Sequence, residues 1–311
     1  PLQADYTLAT QSWSGFGQLE YDFDERFTLT AGTRYTRDDK DYDYLRSCSG
    51  LCFLFTVPDS IGAAGRVVDS HSEGDWSGRL SLDYKPSPEQ LYYLSINRGY
   101  KAFSYNAGFA GMAPLAGVRF DGETLLAFEL GTKLQFWGNR ARFNAATFYY
   151  DYSDYQAFDQ RGLNFTLFNA DATVYGADFE LALRPGAGFS VQLGAALLHT
   201  EVSDVPIGAG RLEREAPQSP HVTLNAAIAR DFELGFGRLT VSTNGAYSSS
   251  NYSQLTNAPV TRIPADFVMN ARVGLADHKD RFEVALSVKN LLDRERILYA
   301  FDITGPPLGL V

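Results

Sequence analysis

Three groups of residues in this sequence are of types and at spacings that can do chemistry. Cys48 and Cys52 lie four apart in Cys48-Ser49-Gly50-Leu51-Cys52, which fits a disulfide closing a short loop or half of a metal site. No histidine and no second cysteine pair lies near them in sequence, so the disulfide is favoured, and it implies an oxidising compartment. Asp38, Asp39, Asp41 and Asp43, interleaved with Tyr42 and Tyr44, could hold Ca²⁺ or repel an anion. A solvated loop base is the plainer reading, and no metal ligand is assigned there. Asp151, Asp154 and Asp159 carry the same ambiguity. His199 and His221 are far apart in sequence, and each reads as an interfacial or solvated residue at a strand end. The sequence has no His-x-x-x-His pair, no Gly-x-Ser-x-Gly elbow and no phosphate loop, so no catalytic residue, metal or cofactor is expected.

Composition narrows the classes further. The 311 residues carry 27 Lys and Arg against 37 Asp and Glu, a net charge of −10, which disfavours nucleic acid because phosphates need a cationic face. Hydrophobic residues make up 45% and aromatic residues 14%, with no run of mostly apolar residues long enough for a membrane-spanning helix. A transmembrane barrel stays open, because its strands alternate polarity and average to a hydrophilic chain. The chain begins Pro1-Leu2-Gln3, from which no targeting segment can be read.

The elements that must position these residues show a period of two. From Arg281, the residues Phe282, Val284, Leu286 and Val288 share one face, and Glu283, Ala285, Ser287 and Lys289 the other. Leu19, Tyr21 and Phe23 likewise oppose Gln18, Glu20 and Asp22, and Leu80 and Leu82 oppose Arg79, Ser81 and Asp83. Such segments predict about twelve strands, near 12–23, 26–37, 74–84, 91–103, 123–136, 140–156, 170–184, 188–202, 219–232, 238–250, 266–276 and 281–300. Many are long enough for a tilted strand to cross a bilayer. Tight connections alternate strictly with long ones, the long ones being 38–73, 104–122, 157–169, 203–218 and 251–265. Short turns on one side and long loops on the other describe an all-β, antiparallel transmembrane barrel. A soluble sandwich or a propeller predicts neither that alternation nor strands of this length.

In a barrel the apolar face meets lipid. Arg79, Asp83, Glu129, Lys133, Asp178, Glu180, Arg272 and Lys289 are therefore expected to line the interior. Trp13, Tyr21, Phe23, Tyr35, Trp76, Tyr84, Phe136 and Trp137, near strand ends, are expected at the lipid interfaces.

Particular motifs carry a family likeness. Arg34-Tyr35-Thr36-Arg37-Asp38, Ser77 to Pro86, Leu91 to Lys101, Phe128-Glu129-Leu130-Gly131-Thr132-Lys133, Arg142 to Tyr152, Tyr175 to Glu180 and Val288 to Asp293 resemble the barrel of TonB-dependent outer-membrane receptors, in the family's order from about residue 12 to 300. The likeness departs at Ala102-Phe103-Ser104-Tyr105-Asn106-Ala107-Gly108-Phe109, where the family favours a Gly-Gly-Phe-Asn type loop. The resemblance implies that residues 1–311 are the C-terminal portion of a 22-stranded barrel, the tenth to twenty-first strands and the start of the last, with the plug and TonB-binding segment outside this chain. It implies an energised transporter of a ferric siderophore or related metal complex in the outer membrane of a Gram-negative bacterium. Its partners would be outer-membrane lipid and lipopolysaccharide, the metal complex, and the TonB complex through the plug.

With that substrate class, the long loops become the expected ligand surface, because iron complexes suit a cup of aromatic faces and Arg donors. Tyr100, Lys101, Tyr105, Asn106 and Arg119, then Tyr155, Gln156 and Arg161, then Arg211 and Arg214, then Tyr252, Gln254 and Arg262 are the candidates. The plainer alternative for each is girdle or loop packing. Rival functions are a complete small barrel acting as a passive pore or enzyme, and a binding barrel without transport.

Overall fold

The computed structural model describes residues 2–48, 65–106, 118–161, 164–207 and 210–302, with their side chains except at 2, 48 and 160–166. In chain order the strands are β1 (Leu2–Asp22), β2 (Phe27–Cys48), β3 (Gly65–Ser87), β4 (Gln90–Lys101), β5 (Ser104–Tyr105), β6 (Arg119–Phe120), β7 (Glu123–Phe136), β8 (Ala141–Arg161) and β9 (Asn164–Gly186). There follow β10 (Phe189–Ile207), β11 (Gly210–Arg214), β12 (Val222–Leu234), β13 (Gly237–Ser248), β14 (Asn251–Tyr252), β15 (Arg262–Ile263), β16 (Asp266–Asp277) and β17 (Glu283–Val288). Each of the twelve expected segments contains a strand of one continuous antiparallel sheet, in the order β1-β2-β3-β4-β7-β8-β9-β10-β12-β13-β16-β17. β11 pairs with β10 off this path, and β5–β6 and β14–β15 are two-residue ladders inside long connections.

The tight turns lie at one end of the sheet and have local chemistry. Asp24 accepts from the backbone N–H of Arg26 (2.8 Å) and Phe27 (2.9 Å). Trp137, Gly138 and Asn139 all sit at positive φ, between 58° and 62°. At the other end the structure corrects the expected loops. The β2–β3 ladder continues from Asp38↔Glu73 to Arg46↔Gly65, and the β8–β9 ladder from Ala157↔Phe168 to Arg161↔Asn164. Much of 38–73 and nearly all of 157–169 are therefore tall hairpins. The pattern hid them because an apolar outward face is needed only inside a bilayer, whereas backbone pairing does not depend on it. Residues 203–218 similarly contain the end of β10 and all of β11. The opposite correction falls on 281–300, where only Glu283–Val288 is strand. Asn290 takes a left-handed φ of 51°, and its carboxamide bonds both the N–H and the C=O of Arg294 at 3.0 Å, which closes a turn and ends the ladder.

The cross-strand register sorts the side chains into two faces. One row runs Leu29–Leu82–Leu94–Leu130, and the next Ala31–Leu80–Ile96–Phe128–Tyr149–Tyr175–His199. Polar residues fill the rows between, such as Ser81–Ser95–Glu129 and Lys133–Asn144–Glu180. All eight residues expected inside fall on this polar face, Lys289 by alternation one residue beyond β17. The apolar rows are outward and uncovered, with Val284 71% and Leu286 72% exposed. Water would leave so much contiguous apolar surface unsatisfied; it is the lipid-facing surface of a transmembrane barrel wall. The buried clusters lie instead on the inward side at the loop end.

Candidate functional site

Above the apolar rows, β2 changes character. Its inward residues Tyr42 and Tyr44 are buried with Phe103, Tyr105 and Val118 from the β4–β7 connection, against Leu8 of β1 and Val67 of β3. Tyr42 stacks on Tyr105 with ring centroids 4.5 Å apart, and on Tyr44 at 6.0 Å. The Tyr105 hydroxyl donates to Asp69 (2.9 Å), which also accepts from Arg119 (3.4 Å). Burial, then the neighbouring Tyr44, pushes the Tyr42 phenol up to about 12; burial, then the bond to Asp69, does the same for Tyr105. The Lys40 ammonium sits 4.9 Å over the Phe103 ring and donates to the Phe103 carbonyl, and burial lowers its pKa against the pull of Asp38 and Glu73. The Tyr42 hydroxyl is buried with no hydrogen-bond partner among the described residues.

The acidic run is not a loop base. Asp38 is buried on the inward face, while Asp39, Asp41 and Asp43 point outward and are answered by β3. Ser72 donates to Asp39, Ser70 to Asp41 (2.6 Å), and Arg66 to both oxygens of Asp43 (2.9 and 2.6 Å). The Arg66 bond holds the Asp43 carboxyl below its usual range, and the Ser72 bond does so for Asp39. Among the described residues no group of three or more His, Cys, Asp or Glu could hold a metal.

A second cluster forms where β8, β9 and β10 rise. Asp154 at φ 56° marks a bulge between Tyr152 and Tyr155. Beyond it Ala157, Ala170, Ala172, Val202 and Val205 present a small-residue inner wall on which Leu255 of the β13–β16 connection packs. A cleft of about 320 Å³ opens beside it, lined by Tyr155, Gln156, Phe158, Gln218, Gln254 and Tyr299 among others. Gln156 spans two elements: its N–H donates to Glu123 (2.8 Å) and its carboxamide to the carbonyls of Ala102 and Asp121 (3.0 Å each). Gln254 accepts from the N–H of Asp302 (2.9 Å).

The structure thus brings Tyr155, Gln156 and Gln254 to one cleft, and Tyr105, Asn106 and Arg119 to the tyrosine cluster. Tyr100 pairs in register with Thr124 of β7, and its hydroxyl donates to Glu73 of β3 (3.3 Å), apart from both clusters. The other cations are locally engaged. Lys101 is 3.6 Å from Glu123, Arg211 donates to the Asp204 carbonyl, Arg214 to the Glu213 carbonyl, and Arg262, paired in its ladder with Tyr252, to Ser250. The Arg161 side chain, the Cys48 side chain and Cys52 lie outside the described residues. Sequence reasoning missed Tyr42, Tyr44 and Phe103 as site formers, although the two tyrosines sit at period two. It also missed Phe158, Gln218 and Tyr299, which carry no pattern of their own.

Comparison with known proteins agrees with this geometry. A family described as "TonB dependent receptor-like, beta-barrel" matches residues 1–291. The chain is 25% identical over 304 residues to the pesticin receptor of Yersinia enterocolitica and 24% identical to that of Yersinia pestis, covering 95% of this chain and 41% of each relative. Among solved structures, the ferric yersiniabactin uptake receptor FyuA from Yersinia pestis superposes with a TM-score of 0.77 at 21% identity, over 94% of this chain and 42% of that one. The closed form of the ferric-catecholate import receptor Fiu from E. coli K12 gives 0.71 at 17% identity, over 94% and 42%. At these identities the structures bear on the fold. The chain spans 41% of the length of the curated relatives it matches.

Proposed function

The chain belongs to the TonB-dependent receptor β-barrel family, and from that premise we propose that it is the C-terminal part of the barrel of an outer-membrane active transporter for a ferric siderophore or related metal complex. The plug and the TonB-binding segment belong to the rest of the receptor, and the loop end faces the cell exterior. The observation that carries this reading is the pair of buried inward clusters at the loop end, beside which separate connections converge on one cleft. Tyr155, Phe158 and Tyr299 offer ring faces, while Gln156, Gln218 and Gln254 offer amides, a combination suited to an uncharged or delocalised chelate. The neighbouring arginines are bonded to carboxylates, carbonyls or hydroxyls, so a highly anionic complex would have to displace those bonds.

Equilibrium binding of ferric yersiniabactin and of a ferric catecholate to the full-length receptor tests this, alongside iron uptake by cells carrying it. A double variant Tyr155→Ala/Tyr299→Ala is expected to bind the preferred complex about tenfold more weakly. Unchanged binding by that variant would move the ligand away from the cleft. Uptake that is independent of the inner-membrane energy source would contradict active transport.

A further inference from the structure

Arginine is costly on a lipid-facing surface, and the outward face of the apolar rows carries two, Arg98 and Arg230, among the described residues. Arg98, at the loop end, lies 4.5 Å over the Trp76 ring and is neutralised by Asp75 at 2.7 Å. Arg230 is at the opposite, turn end of β12. It pairs in register with Phe189 of β10 and with Val241 of β13, both outward. Its guanidinium lies 4.6 Å from the Phe189 ring centroid and 4.4 Å from that of Phe232, exposed, with no carboxylate partner among the described residues. The two rings fix the cation in place and leave its N–H donors free for an external acceptor.

An apolar groove of about 740 Å³ adjoins it, two residues farther along the same face. Ala226 and Gly245 form its floor in one cross-strand row, flanked by Leu193 and Met269; Ile228 forms the wall nearest Arg230. A Cβ at Gly245 would meet the Phe267 ring at 2.9 Å, so a larger residue there would push that ring aside. The cation and the groove are contiguous, the cation toward the turn end and the groove toward the middle of the apolar rows.

We propose that this face is a binding site for an anionic phospholipid of the leaflet on the turn side. Its phosphate is held by Arg230 between Phe189 and Phe232, and an acyl chain lies in the groove over Ala226 and Gly245. The proposal rests on the membrane reading of the chain and goes beyond transport. A zwitterionic lipid fits less well, because its own ammonium competes for the phosphate while the residues paired with Arg230 on the outward face, Phe189 and Val241, offer that ammonium no carboxylate.

The test is native mass spectrometry of the full-length receptor in detergent with added phosphatidylglycerol or phosphatidylcholine. Wild type is expected to retain one phosphatidylglycerol in preference to phosphatidylcholine. Arg230→Gln is expected to lower that retention about tenfold, and Ala226→Phe, which fills the groove without touching charge, to lower it comparably. Equal retention by wild type and both variants, or no preference for the anionic lipid, overturns the proposal. Flotation of wild-type receptor with vesicles runs in parallel: a protein that floats but shows no Arg230 effect refutes only the lipid site, whereas one that does not float refutes the membrane reading itself.

Discussion

The two halves of β2 have opposite polarity. From Leu29 to Tyr35 the outward side chains are Leu29, Ala31, Thr33 and Tyr35, with Thr30, Arg34 and Thr36 inward. From Arg37 onward the outward residues are Arg37, Asp39, Asp41 and Asp43, and the apolar ones, Tyr42 and Tyr44, are inward and buried. β10 inverts in the same way, from outward Leu193 and Leu197 to inward, fully buried Val202 and Val205. The inversion teaches where the solvent changes: lipid surrounds the lower half, and water surrounds the upper half, which must build a core of its own.

Substitutions sharpen that comparison in order of size. Tyr42→Ala removes a buried ring that stacks on two others, so the upper β2–β3 amides should lose about 3–5 kcal/mol of protection against hydrogen exchange, while amides of the lower rows stay unchanged. Ile96→Arg places a charge in the lipid-facing row and should lower barrel stability by about 2–4 kcal/mol in urea unfolding from vesicles, whereas Asp41→Arg, outward but above the rows, should shift it by less than about 1 kcal/mol. Tyr42→Phe deletes a hydroxyl that has no partner among the described residues, and the same exchange measurement should find it neutral or stabilising by up to about 1 kcal/mol.

The tyrosine cluster also responds to alkali. Its phenols titrate higher in the folded chain than the ordinary value of 10.0, so the folded state favours the neutral form. That contribution is complete below pH 10 and is lost as pH rises from there to about 12, the reverse of a paired carboxylate. Tyrosinate absorbance should therefore show a late-titrating fraction that shrinks in Tyr42→Phe. A single transition near the ordinary phenol value would count against the buried stack.

Legibility in the sequence follows the same boundary. Inside the lipid-facing rows a side chain's type depends on its face, so the alternation at 74–84 and 281–288 located strands and faces together. Above the rows that rule lapses, and the ladder from Asp38 to Arg46 looked like an acidic loop. The ending of β17 was hidden for another reason, since it depends on one Asn290 conformation rather than on periodicity. Tyr155, Gln156 and Gln254 were legible as loop residues of suitable chemistry. Their convergence with Tyr299 was not, because it arises from the packing of connections far apart in the chain. The arginines of those loops were legible as cations, but their local acceptors, such as Asp69 for Arg119 and Ser250 for Arg262, were not.

The most direct measurement is a nitroxide scan of the full-length receptor in vesicles, one label at a time at positions 29, 31, 33, 35, 37, 39, 41 and 43 of β2. Collision with oxygen is compared with collision with a water-soluble nickel chelate. Labels at 29, 31, 33 and 35 should favour oxygen, and labels at 39, 41 and 43 the chelate, with the crossover at 37. A uniform profile along the strand, or a crossover at any point below Tyr35, would contradict the division of this wall into a lipid-facing half and a water-facing half.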